Sequence, residues 1–394
     1  MQHEYAFSLP HPDAVSAAHS ERCAYYIRAR IRDAGGSISF AEFMHYALYA
    51  PGLGYYSAGT RKFGDDGDFV TAPEISPLFG RVIARQCADV LRSVPGGAVL
   101  EFGAGSGALA LEVLRTLEEL GATPAEYRIM EVSADLRERQ QRLLREELPG
   151  LANRISWLDR MPDTHRGIVL ANELLDALPV ERFMRRSDGV YQLRVVDEGG
   201  EFVFVDEPAP DVLATAVDSI ERDFGERLPD NYVSEVSLAA PAWLRDVAQM
   251  LEHGMILLFD YGVSRREYYG PERNEGWLRC HFRHRAHSDP LILPGIQDLT
   301  AWVDFSAIAG AAAGSGLDIL GYVSQSQFLL AGGIEAELHQ FADMPLESQL
   351  QTAAQINILT LPVEMVENVK CIGLARGEIP TPPAFGSADR THTL

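Results

Sequence analysis

Glu101 stands two residues before Gly103, and Gly105 and Gly107 follow at alternate positions. An apolar run ending in an acid and then in spaced glycines lets the backbone approach a ligand closely. The free N–H groups of a following helix then face that ligand. Gly103, Gly105 and Ala108 also satisfy the loose dinucleotide pattern G-x-G-x-x-G/A, so NAD or FAD has to be weighed. Glu101 argues against them, because a carboxylate at that strand end would face a pyrophosphate and repel it. It suits a ligand with a cationic amino group, and S-adenosylmethionine (SAM) carries one together with a sulfonium. Glu131 lies 24 residues after Gly107, near the spacing of about 20 at which a strand-end carboxylate takes ribose hydroxyls. Asp159, after a third apolar run, is a candidate acceptor for an adenine amino group and equally a plain loop acid.

A second loaded stretch is Asn172-Glu173-Leu174-Leu175-Asp176-Ala177-Leu178-Pro179, directly after the apolar run 167–171. In open α/β sheets ligands sit at the carboxyl ends of strands, so Asn172, Glu173 and Asp176 would face the methyl donor. The competing reading is that Glu173 and Asp176 cap the next element. Residues 63–74 form a loop rich in glycine and aspartate between hydrophobic anchors, and such loops often carry binding residues. Gly67, Asp68, Phe69, Thr71, Pro73 and Glu74 are its candidates for substrate contact or a lid. The acids there do not have calcium-loop spacing. His281, His284 and His287 recur at three-residue steps, but Arg283 and Arg285 between them would repel a cation. No metal is assigned; Arg283 and His284 are read as a basic patch for an anion such as a carboxylate.

These residues need strands that end where they stand. Val99, Leu100 and Phe102 read as a buried strand, and Ala110, Leu114 and Leu117 as the helix after the glycine loop. Further strands are expected at 127–132, 154–159, 167–172 and 255–260, with helices at 134–147 and 240–252. Before them come a helix at 16–33, a capping box from Ser39 to Glu42, and an amphipathic helix from Ile75 to Val94. Alternation across 180–207 predicts antiparallel hairpin strands, followed by a helix at 211–224. Residues 298–316 look helical, and 317–330 with 366–375 supply a closing hairpin. The fold class is α/β, a Rossmann-like sheet with an N-terminal helical region and an inserted antiparallel β/helical segment. The expected domains are 16–94, helical with the lid; 95–179, the cofactor core; 180–253, the insertion; and 254–376, the rest of the core. The Pro-, Ser- and Thr-rich tail 380–394 is expected to be disordered.

The 394 residues exceed one ordinary domain. Acids outnumber Lys plus Arg by 56 to 34, a formal charge of −22, which excludes a nucleic-acid backbone as the main partner. Cys23, Cys87, Cys280 and Cys371 are scattered, so neither a disulfide frame nor a zinc site is expected. No apolar run approaches the roughly 20 residues of a membrane span. The first 15 residues lack a signal or transit pattern, and the default expectation is a cytoplasmic, bacterial-type protein.

The order of these stretches resembles the class I SAM-dependent methyltransferases. The pair Gly64-Asp65-Asp66-Gly67-Asp68-Phe69-Val70-Thr71-Ala72-Pro73-Glu74-Ile75-Ser76 and Asn172 to Pro179 is more specific. It resembles the MidA-like family, whose mitochondrial member is a complex I assembly factor that methylates protein arginine. The resemblance runs from about residue 20 to 375 and includes Arg283-His284-Arg285 and Val303-Asp304-Phe305. Departures are Ala104 where the family often has Pro, Leu174-Leu175 for a common Phe pair, and Trp302 for a frequent His. The resemblance implies SAM as cofactor and a protein substrate bearing arginine, a respiratory complex I subunit in the mitochondrial case. It leaves a homodimer open, and it leaves open a SAM-binding assembly factor with little catalysis. On an arginine substrate, Glu173 and Asp176 would hold the guanidinium and Asn172 would accept from it. The chain is expected to bind SAM and S-adenosylhomocysteine but not NADH. Calorimetry with each ligand checks this, and micromolar NADH binding without SAM binding would reverse it.

Overall fold

The computed structural model describes residues 9–58, 71–338, 344–361 and 367–394. Two compact units are interleaved along the chain. One comprises the described residues before 59 with Pro179–Val236 and Asn274–Ala301; the other comprises 71–178, Ser237–Arg273 and the described residues from 302 on. The grouping differs from consecutive segments because the antiparallel strands after Pro179 pair with a strand near the N-terminus. Ile38 and Ser39 align with Val195 and Arg194.

In the first unit Asp13 caps the helix Ala14–Asp33, its side chain accepting from Val15 and Ser16 N–H. The capping box read from Ser39 and Glu42 is present and opens the helix Phe40–Tyr49. Strands Glu181–Arg186, Gly189–Glu198 and Glu201–Pro208 form a meander, with Tyr232–Val236 beside the first of them. Ile27, Phe40, Phe43, Val195, Leu278 and Leu299 form the core of this unit.

The second unit carries the large sheet. Its strands are β1 (Ala98–Phe102), β2 (Tyr127–Met130), β3 (Ile155–Leu158), β4 (His165–Asn172), β5 (Leu251–Val263), β6 (Asp318–Ser324) and β7 (Val369–Arg376). They lie in the order β3-β2-β1-β4-β5-β7-β6. The first five run parallel, and β7 is antiparallel to both β5 and β6. Adjacent residues sort to opposite faces, as a period of two requires. Val99, Ile168 and Met255 pack with helices α1 (Pro77–Ser93) and α2 (Ala108–Glu119). Leu100, Val169 and Ile256 pack with α4 (Ala239–Met250) and α5 (Phe305–Gly314), while α3 (Ala134–Glu147) follows β2. Strands apolar on both faces read as near-continuous hydrophobic runs, which is why they were legible.

Three expectations change. The strand expected over 317–330 ends at Ser324, whose side chain accepts from Gln327 N–H and caps the helix Gln325–Ala331. Residues 298–301 and 303–304 are strands, and the helix begins only at Phe305, where the Asp304 side chain accepts from Ala307 N–H. The tail expected to be disordered is ordered by specific contacts. Phe385 lies over Gly321 and Gly373 of β6 and β7, where any Cβ would collide with its ring. Asp389 accepts from Tyr322 N–H, and Arg390 N–H donates to Tyr322 carbonyl. Composition could not show that two glycines leave a slot for one phenyl ring.

Glycine also sets the approach of the parallel strands at their amino ends. Ala98, Gly167 and Gly254 are in register across β1, β4 and β5. Gly167 has φ 123°, and a Cβ there would lie 2.1 Å from the Ala98 carbonyl oxygen. Gly167→Ala is expected to cost about 2–3 kcal/mol of unfolding free energy. Urea melts measure it, and a loss below about 0.5 kcal/mol would show that the strands separate freely there.

Candidate active site

The glycine loop leaves β1 at Gly103, where Gly103 N–H donates to Met130 carbonyl at 2.9 Å. Gly103, Gly105 and Gly107 have φ 67°, 54° and 89°, a left-handed series that only glycine adopts without strain. Gly107 occupies the N-cap of α2 with no side-chain cap, so backbone N–H groups of the first turn remain available to a ligand.

Gln140 on α3 braces this loop. It is fully buried, and its Nε2 donates to Gly105 carbonyl at 2.9 Å and to Glu131 Oε2 at 3.1 Å. Its own Oε1 accepts from Trp157 Nε1 at 2.9 Å. Glu131, at the end of β2, also accepts from Ser133 N–H at 2.9 Å. The carboxylate is thereby held in one orientation as an acceptor at the strand end. Gln140 was not foreseen: a buried glutamine in a highly charged helix carries no motif.

Glu101 stands differently from the open carboxylate expected at the loop mouth. It is 2% exposed and accepts a hydrogen bond from Tyr127 Oη at 2.6 Å. Burial raises its pKa to about 7, against the pull of the Tyr127 bond, and the Glu131 charge raises it further. The bond ties Glu101 to Tyr127 of the neighbouring strand β2. Asp159 is largely exposed and pairs with Arg137 of α3.

Asn172 ends β4 beside Phe259 of β5. Its Nδ2 donates to Glu173 Oε1 at 3.2 Å, and its Oδ1 is buried with no hydrogen-bond partner among the described residues. Glu173 has φ 51°, a left-handed backbone that is uncommon for a residue with a Cβ. Leu174 then brings this turn against the glycine loop: its Cδ1 is 3.2 Å from where a Cβ on Gly103 would stand. The two stretches picked out from the sequence are therefore neighbours.

What holds the Glu173 turn is Asp260, at the end of β5 and 1% exposed. Its Oδ2 accepts from the N–H groups of Leu174 (3.1 Å), Leu175 (2.7 Å) and Asp176 (3.4 Å). Its Oδ1 accepts from Tyr261 N–H at 2.8 Å. Sequence reasoning saw Asp260 only as the last residue of a strand. An acid there was a signal of the same kind as Glu101 and Glu131, but its partners are 84 to 86 residues away.

The acids repel one another. Burial raises the Glu173 pKa to about 8, with the Asp176 charge adding to the shift and bonds from Asn172 and Ala72 N–H opposing it. Asp176 is buried. Burial likewise pushes Asp260 upward, against its backbone donors and with the Glu173 charge. Thr71 and Glu74 form a capping box at the short helix Ala72–Ile75, with Pro73 in its first turn. Glu74 is close enough to add to the Glu173 shift. Gly67, Asp68 and Phe69 lie outside the described residues. Arg283 and His284 belong to the first unit, at a tight turn between strands Leu278–Phe282 and Arg285–His287 with φ 50° and 59°. Arg283 there pairs with Asp13 at 2.6 Å.

A family model for S-adenosyl-L-methionine-dependent methyltransferases matches residues 82–323. The chain belongs to this family. The matched residues contain every site residue from Glu101 to Asp260. The methyltransferase is 31% identical over 338 residues to the protein arginine methyltransferase NDUFAF7, mitochondrial, of Danio rerio, spanning 77% of this chain and 75% of that one. It is 31% identical over 400 residues to the Drosophila melanogaster homolog of the same name, spanning 93% and 88%. A crystal structure of a Burkholderia thailandensis protein bound to S-adenosyl-homocysteine is similar at TM-score 0.91 and 43% identity, covering 98% of this chain and all of that one.

SAM is the methyl donor of the family, and the residues present fit it. The left-handed glycines expose backbone to a ligand, Glu131 is held as an acceptor, and Asn172 Oδ1 is a buried acceptor awaiting a donor. The raised Glu173 pKa has a consequence for stability. Such a carboxyl stabilises the fold while protonated, so its contribution is complete below about 4.5 and is lost as pH climbs through about 8. Glu173→Gln is therefore expected to match the wild type in urea melts at pH 5 and to exceed it at pH 9. A constant difference across that range would show that Glu173 titrates as an ordinary surface acid.

Proposed function

We propose that the enzyme methylates a guanidinium nitrogen of arginine in a protein substrate. The observation that carries this reading is the cluster of Glu173, Asp176 and the unpaired Asn172 Oδ1 at the carboxyl end of β4. It is a set of acceptors crowded with negative charge. Arginine remains protonated in water, with a side-chain pKa of about 12.5 or more, and presents five N–H donors in a planar fork. The names of the mitochondrial relatives support the same substrate class. A respiratory complex I subunit is the proposed protein on the family resemblance.

Bound SAM supplies a methyl group on a sulfonium, open to in-line displacement. The protein's part is alignment and charge. Glu173 offers a carboxylate oriented by Asn172 Nδ2, and Asp176 a second one on a turn that Asp260 keeps from shifting. Burial, with the Asp176 charge adding to it, favours the protonated Glu173 carboxyl; an entering guanidinium offsets both, so the carboxyl ionises and forms a charge-assisted pair. As the new N–C bond forms and the S–C bond breaks, the nitrogen sheds a proton, which the Glu173 carboxylate, its pKa raised by burial, would hold.

The test pairs cofactor affinity with transfer rate on the same folded variants. Glu173→Gln and Asp176→Asn are expected to leave SAM affinity nearly unchanged, because the glycine loop, Gln140 and Glu131 are untouched. Methyl transfer to a lysate protein from a deletion strain should fall by about 10²–10³, with methylarginine identified by mass spectrometry of the labelled band. Undiminished transfer in Glu173→Gln would remove Glu173 from the reaction. Absence of transfer by the wild type to any protein would favour a SAM-binding assembly factor.

A further inference from the structure

Past β5 on the carboxyl side of the sheet, the second unit has a cavity of about 290 Å³ that the methyl-transfer site does not use. Lys370, Arg390, His392, Tyr322, Ser264 and Glu267 line it. Lys370 opens β7, where it is in register with Asp260 of β5 on one side and Ser324 of β6 on the other. Tyr322 lies two residues before Ser324, so its ring is on the same face of the sheet as the Lys370 side chain. The folded tail brings Arg390 and His392 over this face, through the backbone bond from Arg390 N–H to Tyr322 carbonyl.

Two features of the lining need explaining. Lys370 is 4% exposed and Tyr322 is 1% exposed, so an ammonium and a phenol are both withdrawn from bulk water. Lys370 Nζ donates to Glu367 carbonyl, which leaves further N–H donors on the same atom. Tyr322 Oη is buried with no hydrogen-bond partner among the described residues. A buried hydroxyl without a partner is costly, and such groups mark places where a ligand or ion completes the bonding. Like charge is also gathered here: after burial, the Arg390 guanidinium is the main influence pushing the Lys370 pKa down. Glu267 is the acid in the lining, and it is exposed. In the lining itself the fixed charges are Lys370 and Arg390 against Glu267, while Glu367 acts on Lys370 and Asp304 on Tyr322 from outside it.

We propose that this cavity binds a tetrahedral oxyanion of the phosphate class, with Lys370, Arg390 and the Tyr322 hydroxyl as its donors. A cation would face the two fixed positive charges. An apolar ligand would leave the phenol unpaired and give the remaining N–H donors of Lys370 no acceptor. An oxyanion satisfies both and relieves the repulsion between Lys370 and Arg390. Because Tyr322 and Arg390 are also where the tail joins β6, the bound ion would fasten the tail to the sheet.

The test is thermal unfolding of the full chain in sodium phosphate against sodium chloride at equal ionic strength. Phosphate is expected to raise the wild-type midpoint by about 2 °C or more once it exceeds its dissociation constant severalfold. Lys370→Met and Arg390→Gln should lose that increment. S-adenosylhomocysteine affinity, measured on each variant, reports that the fold and the cofactor site are intact. Tyr322→Phe gives a second readout with opposite signs: equal or greater stability than wild type in chloride, and a smaller gain from phosphate. The proposal is overturned if phosphate adds nothing beyond chloride, or if Lys370→Met keeps the full increment. It is also overturned if Tyr322→Phe is several degrees less stable in chloride, since the hydroxyl would then already have a partner.

Discussion

One buried carboxylate keeps the turn after β4 in place. The backbone after β4 must leave the sheet in a left-handed step at Glu173, and the next three N–H groups have no strand to donate to. Buried backbone donors need acceptors, and Asp260 takes Leu174, Leu175 and Asp176 on one oxygen and Tyr261 on the other. A side-chain amide at 260 would put N–H donors of its own toward one of these sets. The parallel pairing of β4 and β5, with Asn172 opposite Phe259, is what delivers the carboxylate to that spot.

The same clamp creates the electrostatic tension of the site. It brings Asp260 beside Glu173 and Asp176, where burial and mutual repulsion disfavour ionisation. Tyr261 feels all three acids, and its hydroxyl is pushed far above its ordinary pKa after burial has done most of the work. Protons relieve the repulsion in the free protein, and a guanidinium relieves it more fully, because it brings charge and a fork of donors together. The repulsion that the proposed arginine substrate would relieve adds to burial in raising the Glu173 pKa, and so in lowering stability at alkaline pH. Sites built for charged ligands commonly hold such unfavourable groupings in the free state.

Cofactor geometry rests on a different principle, in which polar side chains brace backbone and leave it free for a ligand. Gln140 ties Gly105, Glu131 and Trp157 into one network across α3, β2 and β3. Its amide suits this role because it donates and accepts at once without bringing charge. Leu174 then brings the Asp260-held turn close to the braced loop, its Cδ1 3.2 Å from where a Cβ on Gly103 would stand. Adding a Cβ at Gly103 would force the Leu174 side chain to give way.

The sequence by itself determined what depends on neighbours along the chain. The capping box at Ser39 and Glu42, the helix from Ala134 to Glu147 and the left-handed glycines after β1 all follow from local rules. The apolar runs marked the strands, and the acids marked their carboxyl ends. Tertiary structure alone decided which distant groups meet. Asp260 reaches the Glu173 turn across more than 80 residues, Tyr127 takes Glu101 across 26, and Phe385 finds the glycines of β6 and β7. The same holds for the first unit, assembled from three stretches of chain. The reason is physical: a helix cap or a left-handed turn is settled by atoms a few residues apart. A buried acceptor finds its donors only after β-strands have paired, and strand pairing has no period that a linear reading can follow.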